Sequence, residues 1–188
     1  MGRVVVCMNL SLDGVMQGPG RADEDTRDGF TRGGWAAPYA AMANVGHVFA
    51  QAGALLLGRR TYADLASVWP RQPESPFTPW LNATPKYVAS RTLAEPLPWV
   101  NSILLGGDVA SAVAKLKQEL ARDVLIMGSG ELIRTLMQHR LIDEWVLLIH
   151  PLVFGSGRRL FADGGPDATL ELVSSSAAPN GVLVATYR

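Results

Sequence analysis

Val124-Leu125-Ile126-Met127-Gly128-Ser129-Gly130-Glu131-Leu132-Ile133-Arg134-Thr135-Leu136 decides the fold, because it repeats a grammar already used at Ala54-Leu55-Leu56-Leu57-Gly58-Arg59-Arg60-Thr61-Tyr62-Ala63-Asp64-Leu65. Each stretch is a short apolar run, a glycine turn and then a helical pattern. A continuous apolar run is what a strand covered on both faces requires. Glycine lets the backbone turn sharply and come close to a ligand. The helix that follows starts with unpaired N–H groups and a partial positive charge, and such an end attracts phosphate. Two of these starts in one small domain could hold a diphosphate between them. Arg59 and Arg60 add charge beside the first. The pattern points to a dinucleotide carrying an extra phosphate.

Working outward, residues 3–12 read as a strand that stops at the turn pair Asp13-Gly14. Residues 15–34 are rich in Gly, Asp and Arg and have no period, so they read as a long functional loop, a candidate lid. A helix is expected over 38–51, with Pro38 near its start and Gly53 past its end. Four prolines within 69–80 argue against regular structure there. Strands are expected at 86–90 and 102–105. Asp108 then caps a helix whose apolar face is Val109, Val113, Leu116 and Leu120. From about 142 the period changes. A strand at 144–149 ends at His150-Pro151, and strands at 169–175 and 182–187 form an antiparallel hairpin around Pro179-Asn180-Gly181. The expected fold is α/β in a single domain, a mostly parallel sheet with an antiparallel C-terminal edge.

The totals narrow the partners. The 188 residues are 48% hydrophobic and 18% charged, an ordinary globular balance. Lys+Arg and Asp+Glu are both 17, so net charge gives no reason to expect nucleic acid or an anionic membrane. With one cysteine, Cys7, no internal disulfide can form, and a cytoplasmic location is expected. Cys7 reads as a buried structural thiol. No secretory pattern opens the chain, and no apolar run approaches the ~20 residues of a membrane span. His47, His139 and His150 are too scattered for a metal site, so none is expected.

Five short matches, in order along the chain, resemble the dihydrofolate-reductase-like superfamily, and within it single-domain relatives of the reductase half of the bacterial riboflavin-biosynthesis deaminase–reductase. They are Ser11-Leu12-Asp13-Gly14, Gly58-Arg59-Arg60-Thr61-Tyr62, Val88-Ala89-Ser90-Arg91-Thr92-Leu93, Gly128-Ser129-Gly130-Glu131-Leu132 and Pro151-Leu152-Val153-Phe154-Gly155-Ser156-Gly157. The resemblance implies a sheet of about eight strands with helices on both faces and NADPH across the strand ends. It implies that Gly58, Arg59 and Thr61 meet the adenosine-side phosphates and that Ser90 and Arg91 bind the 2′-phosphate. Gly128, Ser129, Gly130, Glu131 and Leu132 would wrap the diphosphate and nicotinamide side, with Ser11 and Asp13 near the nicotinamide and the substrate. Relatives of the riboflavin reductase pair as dimers, so a homodimer through the strand of Trp145 is expected.

The arginines favour NADPH over NADH, since a planar guanidinium suits phosphate whereas a ribose hydroxyl calls for an acidic residue. The substrate half differs from the family pattern. Folate reductases place a carboxylate on the first long helix, and 38–51 has none. Met127 stands where the riboflavin reductase carries a glutamate. Trp35 and Tyr39 could stack on a flat heterocycle, His150 could line the pocket, and the proton could come from Asp13 or from water. The expected activity is NADPH-dependent reduction of a small planar heterocycle. Dihydrofolate or other pteridine reduction is one alternative, a non-catalytic NADPH-binding protein another, and a structural dimer module without cofactor a third.

Overall fold

A computed structural model of the chain describes residues 1–39 and 45–188. Eight strands form one sheet in the order β4-β3-β2-β5-β1-β6-β8-β7. The residues fall into two compact units, Met1–Val6 with Val48–Asp143 and Cys7–His47 with Glu144–Arg188. Strand β1 (Val4–Ser11) carries the chain from the first into the second.

In the first unit, β2 (Ala52–Gly58), β3 (Lys86–Ala89), β4 (Ser102–Leu105) and β5 (Asp123–Ile126) run parallel, with β1 beside β5 in the register Val4↔Val124 to Val6↔Ile126. The apolar runs explain the centre of this sheet. Ala54, Leu55, Leu56 and Leu57 are wholly buried on β2, and Val124, Leu125 and Ile126 are almost so on β5. Parallel strands of one sheet need crossover connections, and helices supply two of them. These are α2 (Arg59–Val68) between β2 and β3, and α4 (Val109–Glu119) between β4 and β5. Asp108 caps α4 as expected, accepting the Ser111 N–H at 2.9 Å. Helix α5 (Gly130–Gln138) follows β5.

Three local expectations give way here. The helix expected over 38–51 is a 3₁₀ turn at Ala37–Tyr39 and one short helix, α1 (Gly46–Gln51), while Met42 lies outside the described residues. Gly53 belongs to β2 rather than to a helix end. A Cβ there would stand 2.6 Å from Arg122 Cβ, so close passage explains the glycine. The proline-rich stretch holds a 3₁₀ turn at Trp69–Arg71 and helix α3 (Thr78–Ala83), with Pro79 in the first turn, where a missing N–H costs little. Edge-on contacts gather Phe77 and Trp80 around Phe49, at 4.9 and 5.5 Å between ring centres. Behind α3, buried Lys86 donates to the carbonyls of Leu81 and Thr84 at 2.7 and 2.8 Å, and its ammonium lies 4.6 Å from the Trp99 ring centre. Burial pulls its pKa down to about 8.

The second unit joins the rest of β1 to β6 (Glu144–His150), β7 (Leu172–Ala177) and β8 (Leu183–Tyr187), with β8 antiparallel to both β6 and β7. The expected hairpin is present, but β7 starts at Leu172 rather than at 169. All its residues are exposed, so no burial pattern marks its start. Trp145 is buried beside Phe161. The segment 15–34 is no free flap. Val15, Phe30, Trp35 and Ala36 form a core cluster with Leu152 and Phe154 against it. Burial lifts the Cys7 thiol to about 12, which leaves it protonated. Among the described residues no helix is long and apolar enough to cross a membrane.

Candidate functional site

Strands β2, β3 and β5 run parallel, so their carboxyl ends share one edge of the first unit, with Gly58 opposite Ala89. In open α/β sheets this is the edge outside which ligands bind. Gly58, Ser90 and Met127 through Leu132 therefore meet along it. The two helix starts read from the sequence are also joined directly, since Thr61 Oγ1 and Ser129 Oγ share a hydrogen bond of 2.8 Å.

Two glycines make that joint possible. A Cβ on Gly58 would lie 2.2 Å from Ser129 Oγ, and Gly128 sits at φ +128° with the place of its Cβ 3.3 Å from Thr61 Oγ1. Ser129 does not cap its own helix, because its hydroxyl is turned to Thr61. The Ile133 N–H donates to the Ser129 carbonyl at 3.0 Å. Gly130, Glu131 and Leu132 thus keep N–H groups that no carbonyl of α5 can reach. Leu132 turns its side chain into the core and Glu131 exposes its carboxylate, so both offer backbone rather than side chain to an anion.

The basic residues are free. Arg59, Arg60 and Arg91 are exposed, and no ion pair involves them among the described residues. Ser90 Oγ accepts the N–H groups of Thr92 and Leu93 at 3.1 and 3.0 Å, which builds the turn that presents Arg91. Its hydroxyl hydrogen remains available. Met127 is half-buried at the end of β5 and brings no charge.

In the second unit the structure groups the remaining residues into two clusters. Ser11 Oγ donates to Asp13 Oδ1 at 2.7 Å and accepts the Val15 N–H at 2.9 Å. Asp13 also accepts the N–H groups of Phe154 and Gly155 at 3.2 and 2.8 Å. The Ser11 hydroxyl first, and these amides with it, hold its carboxyl at about 2. A carboxylate so held stays ionised at neutral pH, and its oxygens clasp the turn to the Phe154 loop. Arg158 and Arg159 both have partners. Arg158 pairs with Asp28 at 2.8 Å, and Arg159 Nε donates to the Asp13 carbonyl at 2.8 Å.

The second cluster surrounds His150, which is 2% exposed. Trp35 and Tyr39 each meet its ring edge-on at 5.1 Å between centres, and Trp35 spends its indole N–H on the Gln17 carbonyl at 2.8 Å. His150 Nε2 bonds Asn9 Oδ1 at 2.9 Å. Burial lowers the His150 pKa, so the ring is neutral. Asn9 was not singled out from the sequence. The available signal was a lone amide inside the apolar run Val4–Leu10.

Compared with known proteins, the chain is 29% identical over 194 aligned positions to the uncharacterized Bacillus subtilis (strain 168) protein YyaP, covering 98% of this chain and 94% of that one. Its fold matches a Shewanella sp. PV-4 protein assigned to riboflavin biosynthesis with a TM-score of 0.72 at 21% identity, over 100% of this chain and 98% of the other. It also matches Enterococcus faecalis dihydrofolate reductase, solved with NADP(H) and RAB-propyl, with a TM-score of 0.60 at 14% identity over 99% and 94% of the two chains. The model of the RibD C-terminal domain covers residues 3–184, and the chain belongs to that family.

Proposed function

We propose that the chain is a cytoplasmic NADPH-dependent reductase of a small planar heterocycle, similar to 5-amino-6-(5-phosphoribosylamino)uracil reductase. One observation carries this reading: two helix starts on neighbouring parallel strands, locked by Thr61 and Ser129, beside arginines that pair with no acid among the described residues. Unpaired cations and open N–H groups fit a diphosphate. In this reading Arg59 meets the adenosine-side phosphates, and the amides of Gly130, Glu131 and Leu132 receive the diphosphate. Ser90 and Arg91 hold the 2′-phosphate.

When bound, the nicotinamide would supply the hydride that reduces a C=N or C=O carbon of the substrate. The balancing proton comes from solvent, since Asp13 is held ionised by Ser11 and two backbone amides. Without a carboxylate at Met127, the substrate is bound as a neutral ring. Two copies pair along the exposed β7 edge rather than through Trp145, which is interior.

NADPH consumption over a panel of pterins, aminopyrimidines and quinones tests the reaction. Turnover with at least one is expected. NADPH binding with no consumption across the panel would favour the non-catalytic binding protein, a reading to which the uncharged Met127 already lends weight.

A further inference from the structure

Among the described residues of the second unit, one buried side-chain polar atom has no partner. His150 Nδ1 makes no hydrogen bond to a described residue, and the ring is only 2% exposed. Buried polar groups are almost always satisfied, and an orphan calls for an explanation. The surroundings fix its chemical state. The Asn9 amide presents its oxygen to the ring, so Nε2 carries the hydrogen and donates to it at 2.9 Å. The neutral imidazole then has a bare lone pair at Nδ1, an acceptor awaiting an N–H or O–H.

Two aromatic side chains flank that acceptor without serving it. Trp35 is anchored, its indole N–H committed to the Gln17 carbonyl, whereas Tyr39 is only half-buried and ends a single 3₁₀ turn. Trp35 is the fixed wall, and a ligand that reaches the ring must displace the half-buried Tyr39 side chain. A flat ring bearing an N–H fits between such groups better than an anion does. The imidazole has no positive charge to offer it, and the walls present ring edges and faces.

We propose that His150, oriented by Asn9 and flanked by Trp35 and Tyr39, is the recognition point for an uncharged N–H-bearing heterocycle, accepting a ring or amino N–H at Nδ1. The proposal rests on the reductase reading for the purpose of the ring but not for its binding. His150 sets specificity and takes no part in hydride transfer. A site built to accept one N–H rejects an analogue that lacks it, because its own acceptor is then stranded.

The test is imidazole ¹⁵N NMR of the full chain, with and without saturating NADPH, titrated with 6-aminouracil, pterin and 2,4-diaminopyrimidine. Without ligand, His150 is expected as the neutral Nε2–H tautomer at pH 7. At least one heterocycle should move the Nδ1 resonance upfield while leaving Nε2 in place. His150→Gln keeps a donor for Asn9 but moves the acceptor away from the Nδ1 position, and it should bind that heterocycle about 10-fold more weakly. A charged or Nδ1–H ring, an Nδ1 signal unmoved by all three compounds, or equal binding by His150→Gln overturns the proposal. Calorimetry with NADPH on the same samples separates the two ideas. Lost NADPH binding with a preserved Nδ1 shift sinks only the reductase reading, and the converse sinks only this one.

Discussion

Arg59 and Arg91 show what a residue can and cannot announce. Their suitability for phosphate was legible in the sequence from side-chain chemistry. That they pair with no acid among the described residues was not, because ion pairing is a tertiary fact. If the two play different parts, their removal must differ. Arg91→Ala should weaken NADPH about 10-fold or more and leave NADH nearly unchanged, the loss of one charge-assisted phosphate contact. Arg59→Ala should weaken both cofactors, and equal effects of the two variants on both would contradict the assignment. Asp13 makes the opposite case. Asp-Gly marked a turn, but nothing local revealed that Phe154 and Gly155, some 140 positions away, would hold the carboxylate. Folded Asp13 binds its proton less tightly than the unfolded chain, at about 2 against 3.8, so its stabilisation is complete above about pH 4 and vanishes as pH falls towards 2. Asp13→Asn should lose about 1–2 kcal/mol at pH 7. Urea titrations should find that gap closing below pH 4, and a gap constant with pH would count against the clasp.

At the level of elements, the strand–glycine–helix units were readable because each is local: an apolar run, a residue without Cβ, a helical period. Their joint was not, since Thr61 and Ser129 are 68 positions apart. The sequence assigned Gly58 to a sharp turn, whereas its space is taken by Ser129. Gly58→Ala should therefore destabilise the fold by about 1–3 kcal/mol, as overpacking does, and weaken NADPH binding as the helix starts part. Adding Ser129→Gly should restore most of the stability in a double-mutant cycle, and strictly additive losses would contradict the joint. The 38–51 segment misled for a related reason. The spacing of Tyr39, Met42, Val45 and Phe49 fits one helix, yet Tyr39 packs on His150 and Phe49 on Phe77 and Trp80, with Met42 outside the described residues. Two separate sets of contacts override one period.

For the whole molecule, the strand inventory and the change from parallel to antiparallel pairing followed from where helical periods alternate with apolar runs and where they stop. The edge was less legible, because β7 buries nothing that would mark it. An exposed edge strand is open to pairing with another chain, and Leu172, Val173 and Leu183 add apolar surface there at 53%, 46% and 40% exposure. Light scattering should return twice the 20.2 kDa chain mass, and Val173→Lys should halve it; a monomeric wild type would contradict pairing along β7. The central claim is the phosphate-binding edge of the parallel sheet, and calorimetric titration with NADPH and NADH tests it most directly. Micromolar NADPH binding, with NADH at least ~10-fold weaker (about 1.4 kcal/mol), is the predicted result. Absence of binding by either cofactor, or equal affinity for both, would contradict it.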